Sequence, residues 1–211
     1  MTLLEKYIKV ANAKTELLEK LYEAVSDAKV NVTAIKAKDE FYVKHVLDSL
    51  YFFTNKLWPH GPLGVKKLAD IGSGGGFPGL VLAIFYPELS FTLIDSIGKK
   101  CLFIQDTASR LGLLNVTVLH ARAEELKGLN FDLITARGVG SVKEVLTYTK
   151  QLACPKTAWL MYKGERLAAE LEEAGPLIKK RGLNSETFRI ETPFTRTYLY
   201  MYSQSLGLRR W

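Results

Sequence analysis

The chain has 211 residues, 47% of them hydrophobic, which is enough for one α/β domain with a modest extension. No apolar run approaches the ~20 residues of a membrane-spanning helix, and the charged N-terminus lacks the apolar core of a signal peptide, so we expect a cytoplasmic protein. The net charge of +7 favours a polyanionic partner such as nucleic acid, and two isolated cysteines, Cys101 and Cys154, do not indicate a metal site.

The first 57 residues are predicted to form a helical extension. Apolar residues recur at helical spacing over residues 2–28, and Asp39 is placed to cap a second helix that runs to about Asn55. The stretch Trp58–Gly64 contains two prolines and two glycines, which is typical of a connector. We therefore expect residues 65–211 to form one compact α/β unit, with the extension packed on that unit or on a partner.

Strand and helix patterns alternate from residue 65 onward. Predicted strands cover residues 65–71, 91–95, 115–120, 131–137 and 157–164, and predicted helices cover residues 78–85, 98–111, 141–152 and 165–180. Two late strands, at 186–190 and 198–202, are joined by a connection short enough for a hairpin. The pattern predicts a Rossmann-like α/β fold with helices on both faces of a mostly parallel seven-stranded sheet, in which one strand is antiparallel.

A glycine-rich turn follows the first predicted strand. The segment Leu68–Gly79 reads LADIGSGGGFPG, with spaced glycines at Gly72, Gly74 and Gly76. Glycines let a backbone approach a ligand where a Cβ would collide. Asp95 ends the second strand, 21 residues after Gly74, where a carboxylate can bind both hydroxyls of a ribose. The turn and the acid together predict half of a nucleotide-type binding site.

The ligand of this turn is either a dinucleotide or S-adenosylmethionine. Residues 74–79 match the dinucleotide pattern G-x-G-x-x-G, but Asp70 stands two residues before Gly72. A carboxylate 4 Å from a phosphate would repel it by roughly 4 kcal/mol at an effective dielectric constant near 20. S-adenosylmethionine has a cationic amine, a ribose for Asp95 and no phosphate. We therefore expect Asp70 to favour S-adenosylmethionine, with a nicotinamide or flavin dinucleotide as the alternative.

Further candidate residues follow the other strands, because ligands of open α/β sheets bind beyond the carboxyl ends of the strands. Phe77 is expected to flank the ligand as an apolar wall. Ala123 and Glu124 follow the third strand, where an adenine would lie, although Glu124 could equally favour the start of a helix. The remaining positions at strand ends are Ser73, Ser96, Thr135, Ala136 and Lys163.

Arg137 ends the fourth strand, which is predicted to be central and buried. A guanidinium at this position could bind the carboxylate of a cofactor, the substrate or an RNA phosphate. The alternative is a structural ion pair with Asp132 or Glu144.

His45, Asp48 and Ser49 fall on one face of the second predicted helix, at spacings i, i+3 and i+4. A hydrolytic triad is not indicated, because no G-x-S-x-G turn is present to expose a nucleophilic serine. We expect His45 to be a structural residue or a neighbour of RNA.

The order of these motifs resembles the RsmG (GidB) family. The matching segments are LADIGSGGGFPG, LIDSIGKKCLFI, ARAEEL, FDLITARGVGS, YKG and, before them, NVTAIKAKDEFYVKHVLDSL. The resemblance covers roughly residues 30–165 and implies that a defined set of residues binds S-adenosylmethionine, namely Gly72, Phe77, Asp95, Ala123, Glu124 and Arg137. The chain departs from the family at Gly138-Val139-Gly140, where alanines are more usual, and at Lys44, where arginine is.

The resemblance implies methyl transfer from S-adenosylmethionine to N7 of a guanine in 16S ribosomal RNA, in the free RNA or in a small ribosomal subunit particle. The N7 lone pair is free at neutral pH, so we expect Arg137 to position cofactor or substrate and no residue to act as a general base. We expect a monomer without a metal ion. The alternatives are a methyltransferase for another nucleic acid or a small molecule, a dinucleotide-dependent oxidoreductase and a non-catalytic RNA-binding factor.

Overall fold

A computed structural model describes residues 11–35, 37–55, 57 and 64–203. The first part of the predicted helix 2–28 and residues 58–63 of the predicted connector lie outside these residues. Within them, the chain forms a seven-stranded sheet with helices on both faces, preceded by a helical segment.

The N-terminal segment contains two helical stretches. Helix α1 spans Asn12–Ser26, and α2 (Lys38–Phe41) continues through a π-helical turn (Tyr42–Leu47) into α3 (Asp48–Thr54). The prediction that Asp39 caps the second helix is wrong: Ala37 stands at the cap, without a side-chain bond, and Asp39 lies in the first turn. Its negative charge is still favourable there, because the positive end of the helix dipole lies at the N-terminus.

The order of strands in the sheet of the described residues is β3-β2-β1-β4-β5-β7-β6, and β7 runs in the direction opposite to the other six strands. This confirms the predicted sheet. The central strand β4 is buried along most of its length, which explains its nearly continuous apolar sequence. The strands span Lys67–Ile71 (β1), Ser90–Asp95 (β2), Val116–His120 (β3), Phe131–Arg137 (β4), Ala153–Lys163 (β5), Leu183–Ile190 (β6) and Arg196–Ser203 (β7).

Within residues 64–203, four further helices connect the strands: Gly79–Phe85 (α4), Gly98–Arg110 (α5), Val142–Tyr148 (α6) and Leu167–Lys180 (α7). Short 3₁₀ turns lie at Ala123–Glu125 and Lys150–Leu152. The predicted helix 141–152 is therefore divided in two. Ser141 forms a capping box with Glu144, which fixes where α6 begins.

The N-terminal helices share a core with the sheet. Leu18 and Leu21 of α1, and Leu50 and Phe52 of α3, are fully buried in the cluster that also contains Tyr198 of β7. A second cluster, on the other side of the sheet, packs residues of β4 and β5 against α6 and α7. The extension thus covers one face of the sheet and reaches the end at which the candidate site lies.

Candidate active site

The glycine turn is bound to the end of the neighbouring strand β2. The N–H groups of Gly72 and Ser73 donate to the carbonyl of Ile94, at 2.8 and 3.1 Å, and the N–H of Gly74 donates to Asp95 Oδ2 at 2.8 Å. Asp95 Oδ1 accepts the N–H of Ile97 at 2.9 Å. A carboxylate has about four acceptor sites, so Asp95 can hold the turn and still bind hydroxyl groups of a ligand.

Most backbone donors of this turn are already used within the protein. Gly76 and Phe77 both donate to the carbonyl of Ser73, and Gly79 donates to Asp70 Oδ2 at 3.1 Å. A diphosphate site needs free N–H groups at the turn and at the start of the following helix. The donor set therefore fits a ligand that offers hydroxyl groups and a cation better than it fits a dinucleotide.

Asp70 is fully buried beneath the turn. Its Oδ1 accepts the hydroxyl of Thr135 at 2.8 Å, and its Oδ2 accepts the N–H of Gly79. Burial raises the pKa of Asp70 to about 6, although these hydrogen bonds and the charge of Arg137 act in the opposite direction. The buried carboxylate of Asp70 therefore does not contact a ligand at the surface of the turn. It can affect a ligand through its charge and by holding the turn in place.

The ring of Phe77, which the sequence predicts to flank the ligand as an apolar wall, packs against the N-terminal helices in the structure. It is 3% exposed and stacks on the imidazole of His45, with ring centroids 4.2 Å apart and an angle of 6° between the planes. Phe41 packs edge-on against both rings. The side chain of Phe77 thus joins the glycine turn to the N-terminal helices.

Arg137 lies at the end of β4 and contacts the π-helical turn rather than the predicted ion-pair partners. Its Nη1 donates to Asp48 Oδ2 at 3.2 Å and to the carbonyl of Lys44 at 3.1 Å, while Nη2 donates to His45 Nδ1 at 3.1 Å. The guanidinium carbon lies 5.5 Å from the centroid of the Phe77 ring. With 14% of its side chain exposed, Arg137 is held from one side and accessible from another.

The alternative ion pairs proposed for Arg137 are wrong, because both acids are occupied elsewhere. Asp132 accepts the N–H groups of Lys66 and Lys67, at 2.8 and 2.9 Å, and Glu144 bonds with Ser141 in the capping box.

His45 is neutral and uses both ring nitrogens. Nδ1 accepts from Arg137, and Nε2 lies 2.7 Å from the hydroxyl of Thr33. Burial and the positive charges of Arg137 and Lys44 lower the pKa of His45 to about 3. Ser49 donates to the backbone carbonyl of His45 and not to its ring, so the structure contains no Ser-His nucleophile there.

Asp48 connects two arginines that are distant in sequence. Besides Arg137, its fully buried carboxylate accepts from Arg196 Nε and Nη2, both at 2.8 Å, and from the hydroxyl of Tyr198 at 3.3 Å. Sequence reasoning missed Arg196 and Thr33. The available signal for Arg196 was a charged residue two positions before the apolar segment YLYMY.

The other predicted residues occupy the same end of the sheet in different environments. Ala123 is buried, and its carbonyl accepts from Gln151 Nε2. Glu124 is exposed. Lys163 is 7% exposed, and its Nζ bonds with Glu170 at 2.7 Å and with the carbonyl of Gly140 at 2.9 Å. Lys163 thereby anchors the loop that follows Arg137.

That loop packs over the glycine turn. A Cβ placed on Gly72 would collide with Val139 Cγ2, and Gly72 has a φ of +62°. Both facts restrict this position to glycine.

Across residues 11–35, 37–55, 57 and 64–203, no group of three His, Cys, Asp or Glu side chains could hold a metal ion. In the same residues, no helix is long and apolar enough to cross a membrane.

Comparison with known proteins identifies close sequence relatives. Residues 14–192 match the family model GidB, described as rRNA small subunit methyltransferase G. The chain is 39% identical over 159 residues to the ribosomal RNA small subunit methyltransferase G of Lactobacillus delbrueckii subsp. bulgaricus, a match covering 72% of this chain and 65% of that protein. It is 37% identical over 183 residues to the protein of the same name from Christiangramia forsetii, covering 82% of this chain and 84% of that protein. The chain thus spans just under two thirds of the first of these relatives.

Solved structures share the fold at low sequence identity. The O-methyltransferase TomG of Streptomyces achromogenes, in complex with S-adenosylmethionine, has a TM-score of 0.58 and 12% identity, over 96% of this chain and 99% of that chain. A ribosomal protein L11 methylase from Lactobacillus delbrueckii subsp. bulgaricus has a TM-score of 0.58 and 10% identity, over 76% of this chain and 79% of that chain. These similarities establish the Rossmann-like methyltransferase fold.

Proposed function

The chain belongs to the GidB family, rRNA small subunit methyltransferase G, and on that premise we propose that it transfers a methyl group from S-adenosylmethionine to N7 of a guanine in 16S ribosomal RNA. The observation that carries the proposal is the glycine turn. Its N–H groups donate to Ile94, Ser73, Asp70 and Asp95, so it has little to offer a diphosphate. Asp95 keeps acceptor sites for a ribose.

The cofactor would lie across the carboxyl ends of β1 and β2. Gly72, Gly74 and Gly76 keep the turn free of side chains. Asp95, which accepts the N–H of Gly74, would also accept the ribose hydroxyls. Ala123 supplies a buried, apolar contact for the adenine, with Glu124 exposed beside it. Asp70 contributes a negative charge beneath the turn, which attracts a cationic amino acid.

The arrangement fits a reaction that needs no general base. When bound, S-adenosylmethionine supplies a sulfonium methyl group that the N7 lone pair of guanine takes in an in-line displacement. His45 uses both ring nitrogens in hydrogen bonds and is not free to accept a proton. The contribution of Arg137 is to fix the position of cofactor or substrate, because alignment of the reacting atoms lowers the barrier.

The substrate is 16S ribosomal RNA, free or within a small ribosomal subunit particle. The net charge of +7 favours binding to phosphates, which position an RNA without specifying its sequence. A guanine in folded RNA must be exposed by the shape of that RNA before it can enter a site at the edge of a sheet. An enzyme with this substrate acts where ribosomes are assembled, which places it in the cytoplasm, and we propose that it acts as a monomer.

The test is transfer of a tritiated methyl group from S-adenosylmethionine to small ribosomal subunits and to protein-free 16S RNA. The labelled RNA is then digested to nucleosides. We expect 7-methylguanosine, and we expect Arg137→Ala to keep only a slow residual single-turnover rate of methyl transfer while remaining folded, because Asp48 keeps its ion pair with Arg196. Label in another nucleoside, or label only in small acceptors or DNA, would contradict the proposed substrate. Quenching of nicotinamide fluorescence would favour a dinucleotide enzyme instead.

A further inference from the structure

The ring of His45 is fixed on both edges and on one face. One edge faces Arg137 and the other faces Thr33, and the ring of Phe77 stacks on its face. His45 itself lies in the π-helical turn between α2 and α3. Turns of this type widen a helix locally and occur frequently at functional sites.

The hydrogen bonds allow only one protonation state of the ring. A guanidinium nitrogen can only donate, so Nδ1 of His45 must be the acceptor for Arg137 Nη2. The ring proton therefore lies on Nε2 and is donated to Thr33 Oγ1, which also accepts the N–H of Ile35 at 3.1 Å. The lowered pKa of His45 agrees with a ring that stays neutral beside a cation.

We propose that His45 is a positioning residue that orients the guanidinium of Arg137 for methyl transfer. The inference rests on the proposed function, in which Arg137 contacts cofactor or substrate. Asp48 supplies the charge that keeps Arg137 in place, but it is shared with Arg196. The bond to His45 fixes the rotation of the guanidinium plane. The guanidinium of Arg137 has five N–H groups, and the described contacts use three of them. The other two can donate hydrogen bonds to a cofactor or substrate.

Two variants of the same shape isolate this bond. Asn and Leu are nearly isosteric, both lose the stacking on Phe77, and only Asn keeps an acceptor where His45 has Nδ1. For His45→Leu we expect kcat to fall about 100-fold, the scale of a 1 Å misplacement in an active site. For His45→Asn we expect kcat within about tenfold of wild type. Equal values of kcat for the two variants would overturn the inference.

The same comparison in an Arg137→Ala background separates positioning from general destabilisation. If His45 acts through Arg137, the Asn and Leu variants should have the same single-turnover rate once the arginine is absent. A Leu variant that remains slower than the Asn variant in this background would show that His45 acts by another route, and would also overturn the inference.

The protonation state can be measured in the wild-type protein without cofactor, so it does not depend on whether a variant folds. In ¹⁵N NMR spectra we expect the His45 ring to carry its proton on Nε2 and not to titrate between about pH 5 and pH 8. A proton on Nδ1 would exclude the bond to Arg137 and the inference with it. Absence of methyl transfer by the wild-type protein, with the Nε2 proton observed, would instead overturn the proposed function.

Discussion

Asp48 and Arg196 form a two-point ion pair, with Oδ1 bonded to Nε and Oδ2 to Nη2 at 2.8 Å each, across 148 residues of sequence. Asp48 is the first residue of α3, and Arg196 is the first residue of β7. The pair therefore joins the N-terminal helices to the antiparallel strand β7. Since Arg137 contacts the same carboxylate, the pair also supports the candidate site.

The ion pair leads to a prediction about stability. Asp48→Asn should lower the free energy of unfolding by about 3–5 kcal/mol, because it leaves two partly buried guanidinium groups without their charged partner. Asp106→Ala is the matched control, since Asp106 pairs at 2.8 Å with Arg110 on the protein surface. Its loss should cost about 0.5 kcal/mol or less. Urea unfolding measures both, and losses of equal size would contradict the assignment of Asp48 as a buried connecting residue.

The elements that the sequence predicted well are those with local patterns. The bounds of β4 were predicted without error, because an uninterrupted apolar run marks a buried central strand. The single antiparallel strand followed from the short connection before β7. The glycine turn and Asp95 were also predicted, and the bond between Gly74 and Asp95 brings them together.

The contacts that the sequence did not predict are long-range and have no periodic signal. Arg137 was assigned nearby partners in sequence, but its carboxylate partner lies 89 residues away, in a helix whose position depends on the packed core. Phe77 was assigned to the cleft because it follows the turn, yet the N-terminal helices bury its ring. Tertiary packing decides which side of a residue a distant helix covers. The local spacing of residues in the sequence does not contain this information.

Asp70 should give the protein a stability that depends on pH. Its pKa in the folded state is about 6, above the ordinary 3.8, so the folded protein retains a proton that the unfolded chain has released between these values. The free energy of unfolding should therefore fall as the pH rises from about 4 through about 6, by about 3 kcal/mol from this residue. Asp70→Asn keeps an acceptor for the Gly79 N–H and does not titrate.

Urea unfolding of wild type and Asp70→Asn over this pH range tests the effect, because all other acids titrate in both proteins. The variant should gain stability relative to wild type as the pH rises. A difference between the two proteins that stays constant with pH would contradict the raised pKa of Asp70.

Two glycines separate the effect of backbone conformation from that of crowding. Gly72 and Gly138 both have positive φ, at +62° and +70°, but only at Gly72 would a Cβ meet another residue, Val139. Gly138→Ala should therefore lower the free energy of unfolding by about 1–2 kcal/mol, from conformation alone. Gly72→Ala should lose about 1–3 kcal/mol more, from the collision.

In the double variant Gly72→Ala/Val139→Ala the collision is absent, so the free energy of unfolding should be lower than that of Val139→Ala only by the conformational part. Its remaining loss should match that of Gly138→Ala. If Gly72→Ala is no less stable than Gly138→Ala in urea, the loop after Arg137 does not pack on the turn as described.

Asp95 links the structure of the turn to cofactor binding, and its two roles can be separated. Asp95→Ala removes the acceptor for Gly74 and, in the proposed site, a charge-assisted bond to the ribose. The affinity for S-adenosylmethionine, measured by calorimetry, should fall by about 1.5–3 kcal/mol. Asp132→Ala is the matched control, because Asp132 also accepts backbone N–H groups, from Lys66 and Lys67, at the opposite end of the strands. It should lower stability without changing the dissociation constant. Unchanged affinity in Asp95→Ala, or an equal loss in both variants, would mean that this carboxylate holds the turn and does not contact the cofactor.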